Sequence, residues 1–394
     1  MNCFNQRTLR RILNLKFLRG AVILLSAMMI PLITVAAPTP LPAPPNLAAR
    51  AFLLLDVNSG RILAEKNADK RMEPASLTKM MTAYIVFNEI KAGTVSLSEQ
   101  ALVSEKAWRM GGSKMFIEVN KHVSIEDLLK GMIIQSGNDA SVALAEHIAG
   151  SEDAFATLMN NYAQTLGMNN THFVNATGMP NSQHYTTARD LSKLARALIV
   201  DFPDHYSWYS ERKFTYNNIT QYNRNTLLWR DKYVDGIKTG HTESAGFCLV
   251  SSAQRDSMRL LSVVLGTRSE DARAQESQKL LNYGFRFFET RPLYMANTPL
   301  TKTRVWEGGV EELALGLKSD LYITIPRGRY NKLDTKMNIN QKIMAPVSQG
   351  QQLGSVDITL EGTEVASRPL ISLHDVPEGD FMQRMSDKIM LMFE

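Results

Sequence analysis

Residues 51–63 read Ala-Phe-Leu-Leu-Leu-Asp-Val-Asn-Ser-Gly-Arg-Ile-Leu, two apolar runs around an Asn-Ser-Gly turn. That pattern predicts a β-hairpin at the start of the folded part. From Pro74 to Phe87 the apolar positions recur on one helical face, with proline where a helix start tolerates it. A helix is therefore predicted with Ser76 in its first turn. Residues 124–150 also read as helix, with Ser124 and Asp127 as a capping pair, an interruption at Ser136-Gly137-Asn138 and Gly150 as a stop signal. A further helix is predicted over residues 187–199. After Trp229 strand-like runs follow at 234–239, 246–252 and 259–265, and then a helix from about 272 to 290.

Strands at both ends of a helical stretch predict an α/β (α+β) domain over residues 38–293, its sheet mainly antiparallel and flanked by helices. Residues 294–376 hold short runs such as Leu321-Tyr-Ile-Thr-Ile and Ser355-Val-Asp-Ile-Thr-Leu between Gly, Pro and Asn, which predicts a small all-β domain. Residues 377–394 close the chain with an amphipathic helix. Phe381, Met382, Met385, Ile389, Met392 and Phe393 fall on one of its faces, and Gln383, Arg384 and Asp387 on the other.

The leader changes the reading of charge. Residues 1–37 carry five basic residues, no acid and then an apolar run over 21–37, the layout of a signal peptide with small residues Val35 and Ala37 at the cleavage offset. An uncleaved anchor helix is the alternative, and Pro31 interrupts it. The formal net charge of +5 equals the basic residues of the leader, so the processed chain is near neutral and nucleic acid is not an expected partner. Of the two cysteines Cys3 lies in the leader, which leaves Cys248 without an intramolecular partner, as a packed strand residue. Seven histidines occur without His-Glu-x-x-His, and no Gly-rich phosphate loop is present, so neither metal nor other cofactor is expected.

Three short motifs carry chemistry. Ser76 and Lys79 stand three apart in a helical turn, where their side chains can meet. A serine hydroxyl needs a proton acceptor, and Lys79 can serve only if burial and a nearby cation, for which Lys238 is the candidate, keep it deprotonated. Ser136-Gly137-Asn138 offers a hydroxyl to relay a proton and an amide to hold a peptide group. Lys238-Thr239-Gly240, at a strand end, offers a cation and a hydroxyl for a carboxylate, with glycine leaving room for substrate along the strand. A second Ser-x-x-Lys, Ser210 to Lys213, precedes a strand-like stretch that turns its two side chains apart, and it is set aside. Joint occurrence in this order, at a helix start, a helix break and a strand end, gives the set its specificity.

With these motifs, with Val234-Asp-Gly-Ile-Lys-Thr-Gly-His-Thr242 and with Asn223-Arg-Asn before Leu227-Leu-Trp229, the chain resembles the penicillin-recognising serine enzymes. Within them it resembles the low-molecular-mass penicillin-binding proteins that act as D-alanyl-D-alanine carboxypeptidases. The resemblance implies an acyl-enzyme on Ser76, Lys79 as general base and Ser136 passing a proton to the leaving D-alanine. It also implies Lys238 and Thr239 on the substrate carboxylate, an oxyanion hole from the backbone N–H groups of Ser76 and His241, and Arg224 and Arg273 near the substrate. Peptidoglycan pentapeptide and β-lactam antibiotics are the implied ligands, and the terminal helix an anchor on the periplasmic face of the inner membrane. Thr177 stands where that family often has a histidine, so a deacylation role for such a histidine does not carry over. A serine β-lactamase and a non-catalytic penicillin-binding scaffold are the alternatives. No Glu-x-x-Leu-Asn is present for the first, and the intact Ser76, Lys79, Ser136 and Lys238 oppose the second.

Overall fold

The computed structural model describes residues 41–393, so the leader read at 1–37 lies outside the described residues. The expected hairpin is formed by β1 (Ala51–Asp56) and β2 (Ile62–Lys66). They join β3 (Val234–Thr242), β4 (Gly246–Arg255) and β5 (Met258–Thr267) in one antiparallel sheet of order β2-β1-β5-β4-β3. First and last parts of the domain thus meet at its centre, where Leu53 of β1 lies opposite Val263 of β5.

Both faces of the sheet are covered, which explains why β1 and β5 read as nearly unbroken apolar runs rather than alternating ones. Leu53, Leu55, Val250 and Val263 pack on one face against α1 (Lys79–Ala92), α2 (Ile125–Lys130), α3 (Asn138–Ala149) and their neighbours. Phe52, Leu54, Leu249 and Val264 pack on the other against α4 (Glu270–Phe287), through Leu280 and Leu281. The first face places the N-terminal ends of α1 and α3 beside β3.

Three local departures from the sequence expectation bear on the site. Ser76 lies in a 3-10 turn, Ala75–Thr78, and the α-helix proper starts at Lys79. Residues 124–150 are not a helix with one break: after α2 the chain widens into a π turn, Gly131–Gln135, and only then reaches Ser136, at φ 71. The α4 helix stops at Phe287 rather than near 290, because Phe288 begins β6 (Phe288–Tyr294), which pairs antiparallel with the later strand β9 (Leu321–Pro326).

The β-rich remainder holds β7 (Thr301–Arg304), β8 (Glu312–Gly316), β9 (Leu321–Pro326), β10 (Leu333–Ile339), β11 (Gln352–Leu360) and β12 (Thr363–Ser372). Five of these form a sheet of order β7-β8-β12-β11-β10, over cores that include Leu315, Val356 and Leu370. A polar knot joins the separate β6–β9 pair to the first sheet. The fully buried Asp56 accepts from Ser59 N–H and Ser59 Oγ at 2.8 Å through Oδ1, and from Thr290 Oγ1 at 2.8 Å through Oδ2. Thr324 Oγ1 in turn bonds Ser59 Oγ at 2.6 Å and Thr290 Oγ1 at 2.8 Å.

The terminal helix α5 (Phe381–Leu391) turns its polar side to the protein. Asp387, 1% exposed, accepts from Glu307 N–H at 2.6 Å and from Arg304 at 3.3 Å. Phe381, Met382, Met385 and Ile389 point outward, with Met382 76% exposed. Among the described residues no helix is long and apolar enough to cross a membrane.

The Asp56 knot yields a stability prediction. Asp56→Ala strips the partner from Thr290 and from the Ser59 turn, and unsatisfied buried donors cost about 1–3 kcal/mol. A fall in the urea midpoint equivalent to about 2 kcal/mol is expected. A loss under about 0.5 kcal/mol would show that the knot does not hold the two sheets together.

Candidate active site

The 3-10 turn, the N-terminus of α3 and the strand β3 converge on a cleft of about 270 Å³. It is lined by Ser76, Ser136 and Asn138, by Thr239, Gly240 and His241, and by Arg224 and Arg273, so the sequence-predicted residues are brought together. Lys79 and Lys238 stand behind this lining, 1% and 3% exposed. The second Ser-x-x-Lys is elsewhere: Ser210 ends a short 3-10 turn and bonds Ser207 O, while Lys213 opens an exposed strand.

Lys79 Nζ has three oxygen neighbours. Ser76 Oγ is at 3.2 Å, Asn138 Oδ1 at 2.7 Å and the Thr177 carbonyl at 2.6 Å. An ammonium would fill all three with its three N–H groups. The neutral amine has two N–H groups and one lone pair. Neither a carbonyl nor an amide oxygen can donate, so both N–H groups go to Asn138 and Thr177, and the lone pair falls to the one neighbour that can donate, the Ser76 hydroxyl. Asn138 cannot turn its amide round without loss, because its Nδ2 donates to Gly111 O at 2.7 Å. Asn138, expected to hold a substrate peptide group, lines the cleft, and its amide also bonds the protein at both ends.

Burial sets the protonation state. It pulls the Lys79 ammonium down to about 7, opposed by the negative charge of Asp139 and assisted by Arg224. This corrects the expectation that Lys238 is the cation acting on Lys79. Burial first, then the charges of Lys79, Arg224 and Arg273, drive Lys238 itself well below the ordinary range of a lysine. A carboxylate entering the cleft would restore the charge of Lys238, which gives the site a built-in attraction for anionic substrates. Asp139 is held by N–H groups of Met115, Phe116, Ile117 and Ala140, and so fastens the wall at 111–117 to α3.

Two glycines are required by close approach. A side chain on Gly178, at φ +85, would place its Cβ 1.8 Å from the Ala75 carbonyl oxygen. At Gly240 it would lie 3.1 Å from Pro74 O. Gly240 therefore lets β3 lie against the nucleophile turn, beyond the room for substrate foreseen from sequence. Arg273 is buried, 3% exposed. Its guanidinium reaches Gly240 O at 3.5 Å, Arg224 O at 3.4 Å and Glu270 at 3.2 Å. Arg224 is exposed on the rim. Cys248 is fully buried on β4, its thiol pushed up to about 11 by burial, and it takes no part in the cleft.

Sequence reasoning missed the Thr177 carbonyl, Gly178, Glu270 and the wall at Gly112 and Ser113. A backbone carbonyl leaves no mark in a sequence. Gly178 could have been singled out only by knowing what it touches.

Residues 38–269 match the family described as D-alanyl-D-alanine carboxypeptidase, and residues 288–378 match the penicillin-binding protein 5 C-terminal domain. The D-alanyl-D-alanine carboxypeptidase DacA of Escherichia coli is 43% identical over 363 residues, covering 90% of each chain. The structure of penicillin-binding protein 5 from Haemophilus influenzae superposes with a TM-score of 0.82 at 42% identity, over 86% of this chain and 100% of that one. Penicillin-binding protein D2 from Listeria monocytogenes in its ampicillin-bound form gives 0.57 at 33% identity, over 61% of this chain and 100% of that one.

The buried Lys79 amine imposes a pH dependence. Lys79 accepts a proton only when neutral, so acylation of Ser76 should rise with pH through about 7 and level off above it. The rate of labelling by a fluorescent penicillin from about pH 5 to about pH 9, roughly two units either side of the midpoint, measures this. A rate that falls as pH rises through 7 would remove the neutral amine from the mechanism.

Proposed function

The chain belongs to the D-alanyl-D-alanine carboxypeptidase family and is a serine-type hydrolase, and from that premise we propose how its residues divide the work. The substrate is a peptidoglycan stem peptide ending in D-Ala-D-Ala. Ser76 Oγ attacks the carbonyl carbon of the penultimate D-alanine while its proton passes to the Lys79 lone pair. The backbone N–H groups of Ser76 and His241 receive the oxyanion, where fixed dipoles are most effective. The C–N bond then breaks, and Ser136 passes a proton to the departing D-alanine amine. Water hydrolyses the ester, returning a hydrogen to Ser76 and releasing the shortened peptide as a carboxylate. Lys238, Thr239 and the two arginines Arg224 and Arg273 hold the terminal carboxylate, which is lost with the first product.

The observation that carries this reading is the threefold contact of Lys79, which leaves Ser76 as the one group able to give it a proton. A β-lactam suits the same site because it presents a carboxylate and a strained amide. Its leaving nitrogen stays tethered to the acyl group after the ring opens, so the adduct blocks the cleft.

Release of free D-alanine from a D-Ala-D-Ala peptide is expected from the purified protein, abolished in Ser76→Ala and blocked by benzylpenicillin. Rapid turnover of penicillin without D-alanine release would make the enzyme a β-lactamase instead. Neither activity would leave only a scaffold.

The leader at 1–37 supports export across the inner membrane, and the outward apolar face of α5 supports attachment to its periplasmic surface. Attachment through Phe381, Met382, Met385 and Ile389 needs no charge attraction, since apolar area lying at the headgroup boundary supplies the affinity. Deleting residues 380–394 should move the protein from washed membranes to the soluble fraction with D-alanine release unchanged. Retention on membranes would exclude the helix as anchor.

A further inference from the structure

Behind the catalytic turn lies a buried imidazole that the chemistry above does not use. His184 is 2% exposed, with its ring edge-on to Phe173 at a centroid distance of 5.6 Å. Nδ1 faces the backbone N–H of Val174 at 3.3 Å. That group can only donate, so Nδ1 is the bare nitrogen and the ring proton sits on Nε2. Nε2–H accordingly donates to Thr78 Oγ1 at 2.8 Å. One nitrogen closes the loop at 173–184 on itself, and the other fastens it to Thr78, the last residue of the Ser76 turn and the neighbour of Lys79.

What the loop carries explains why this matters. Between Val174 and His184 lie Thr177, whose carbonyl receives a Lys79 N–H, and Gly178, seated against the Ala75 carbonyl. Asn175 Oδ1 accepts from the N–H groups of Thr177, Gly178 and Met179 and makes the tip of the loop stiff. A stiff tip transmits the position of its fastening. If the Thr78 bond is lost, Thr82 Oγ1 still donates to the Ala176 carbonyl at 2.8 Å, but the loop loses its tie to the residue next to Lys79. The Thr177 carbonyl, one of the two acceptors that orient Lys79, is then free to shift.

We propose that His184 is a positioning residue for acylation: by clamping the loop at 173–184 to Thr78, it fixes the Thr177 carbonyl and so aims the Lys79 lone pair at Ser76. The inference rests on Lys79 being the base. The ring is neutral throughout the working range. Burial, then the charges of His172 on the same loop and of Lys79 on α1, hold its protonation down to about 4. A proton on Nδ1 would set two donors face to face at Val174, so only the neutral ring makes both contacts.

Two variants separate this role from simple packing. His184→Phe keeps a ring against Phe173 and removes both hydrogen bonds. His184→Gln can accept from Val174 and donate to Thr78, and it does not titrate. The readout is the rate of acylation by a fluorescent penicillin across pH, beside KM for the D-Ala-D-Ala peptide and the melting temperature. His184→Phe should acylate about tenfold or more slowly at pH 7, since small displacements of a reacting group cost that much. Its pH midpoint should move down, because the ammonium form of Lys79 loses the Thr177 carbonyl as an acceptor. KM should change less than about threefold, and His184→Gln should recover most of the rate.

A His184→Phe protein with the wild-type rate and midpoint would overturn the inference. So would a slow one that His184→Gln does not rescue. If His184→Phe does not fold, Thr78→Val removes the clamp from its other end, and the same two results decide. Normal acylation by Lys79→Ala would instead mean that the base itself is misassigned, a different failure from indifference to His184.

Discussion

A neutral lysine amine among three oxygens, only one of which can donate, has a single arrangement that satisfies all of them. Lys79 is in that position, and most of the domain can be read as the means of keeping it there. Asn138 comes from the start of α3, Thr177 from a loop braced by its own side-chain bonds, and Ser76 from the turn that leads into α1. Each is supplied by a different element, so the geometry exists only when the helical layer is assembled on the sheet. Burial then does what no local sequence feature could, lowering the lysine to about 7 so that the lone pair is available near neutral pH.

The same enclosure explains the rest of the cleft. Four basic side chains, Lys79, Lys238, Arg224 and Arg273, surround a pocket whose lining holds one acid, Glu270. Charges of one sign concentrated in a partly enclosed site favour an anionic ligand and disfavour their own simultaneous ionisation. Lys238 responds by losing its proton readily, and a bound carboxylate reverses that. Substrate binding and the electrostatics of the base are therefore coupled through the pair Lys79 and Lys238, although the direct effect on Lys79 comes more from burial and from Arg224 than from Lys238.

Much of this was legible in the chain. The β1–β2 hairpin, the strands β3 to β5 and the helix breaks came through because unbroken apolar runs and turn residues mark them. Ser76, Lys79, Ser136 and Lys238 could be singled out because their spacing makes chemical sense in a turn, a break and a strand end, and the structure gathers them at one cleft. Illegible features were those set by tertiary contact. The π turn before Ser136 has no local signature, the bonds of Asn138 to Lys79 and Gly111 depend on tertiary contact, and Thr177 meets Lys79 through its backbone. The end of α4 at Phe287 is decided by pairing of β6 with β9, far along the chain. The amphipathic face of the terminal helix was plain, but that its polar side would meet the protein, through Asp387, was not.

The state of one proton is the test of the whole arrangement. With the lysine side chains labelled with nitrogen-15, the Lys79 Nζ resonance can be followed across pH in the free protein. A midpoint near 7 is predicted, with the neutral form dominant above it. An ammonium that persists beyond about pH 9, close to an ordinary lysine, would mean that Lys79 does not present a lone pair to Ser76 and that the proton must leave by another route.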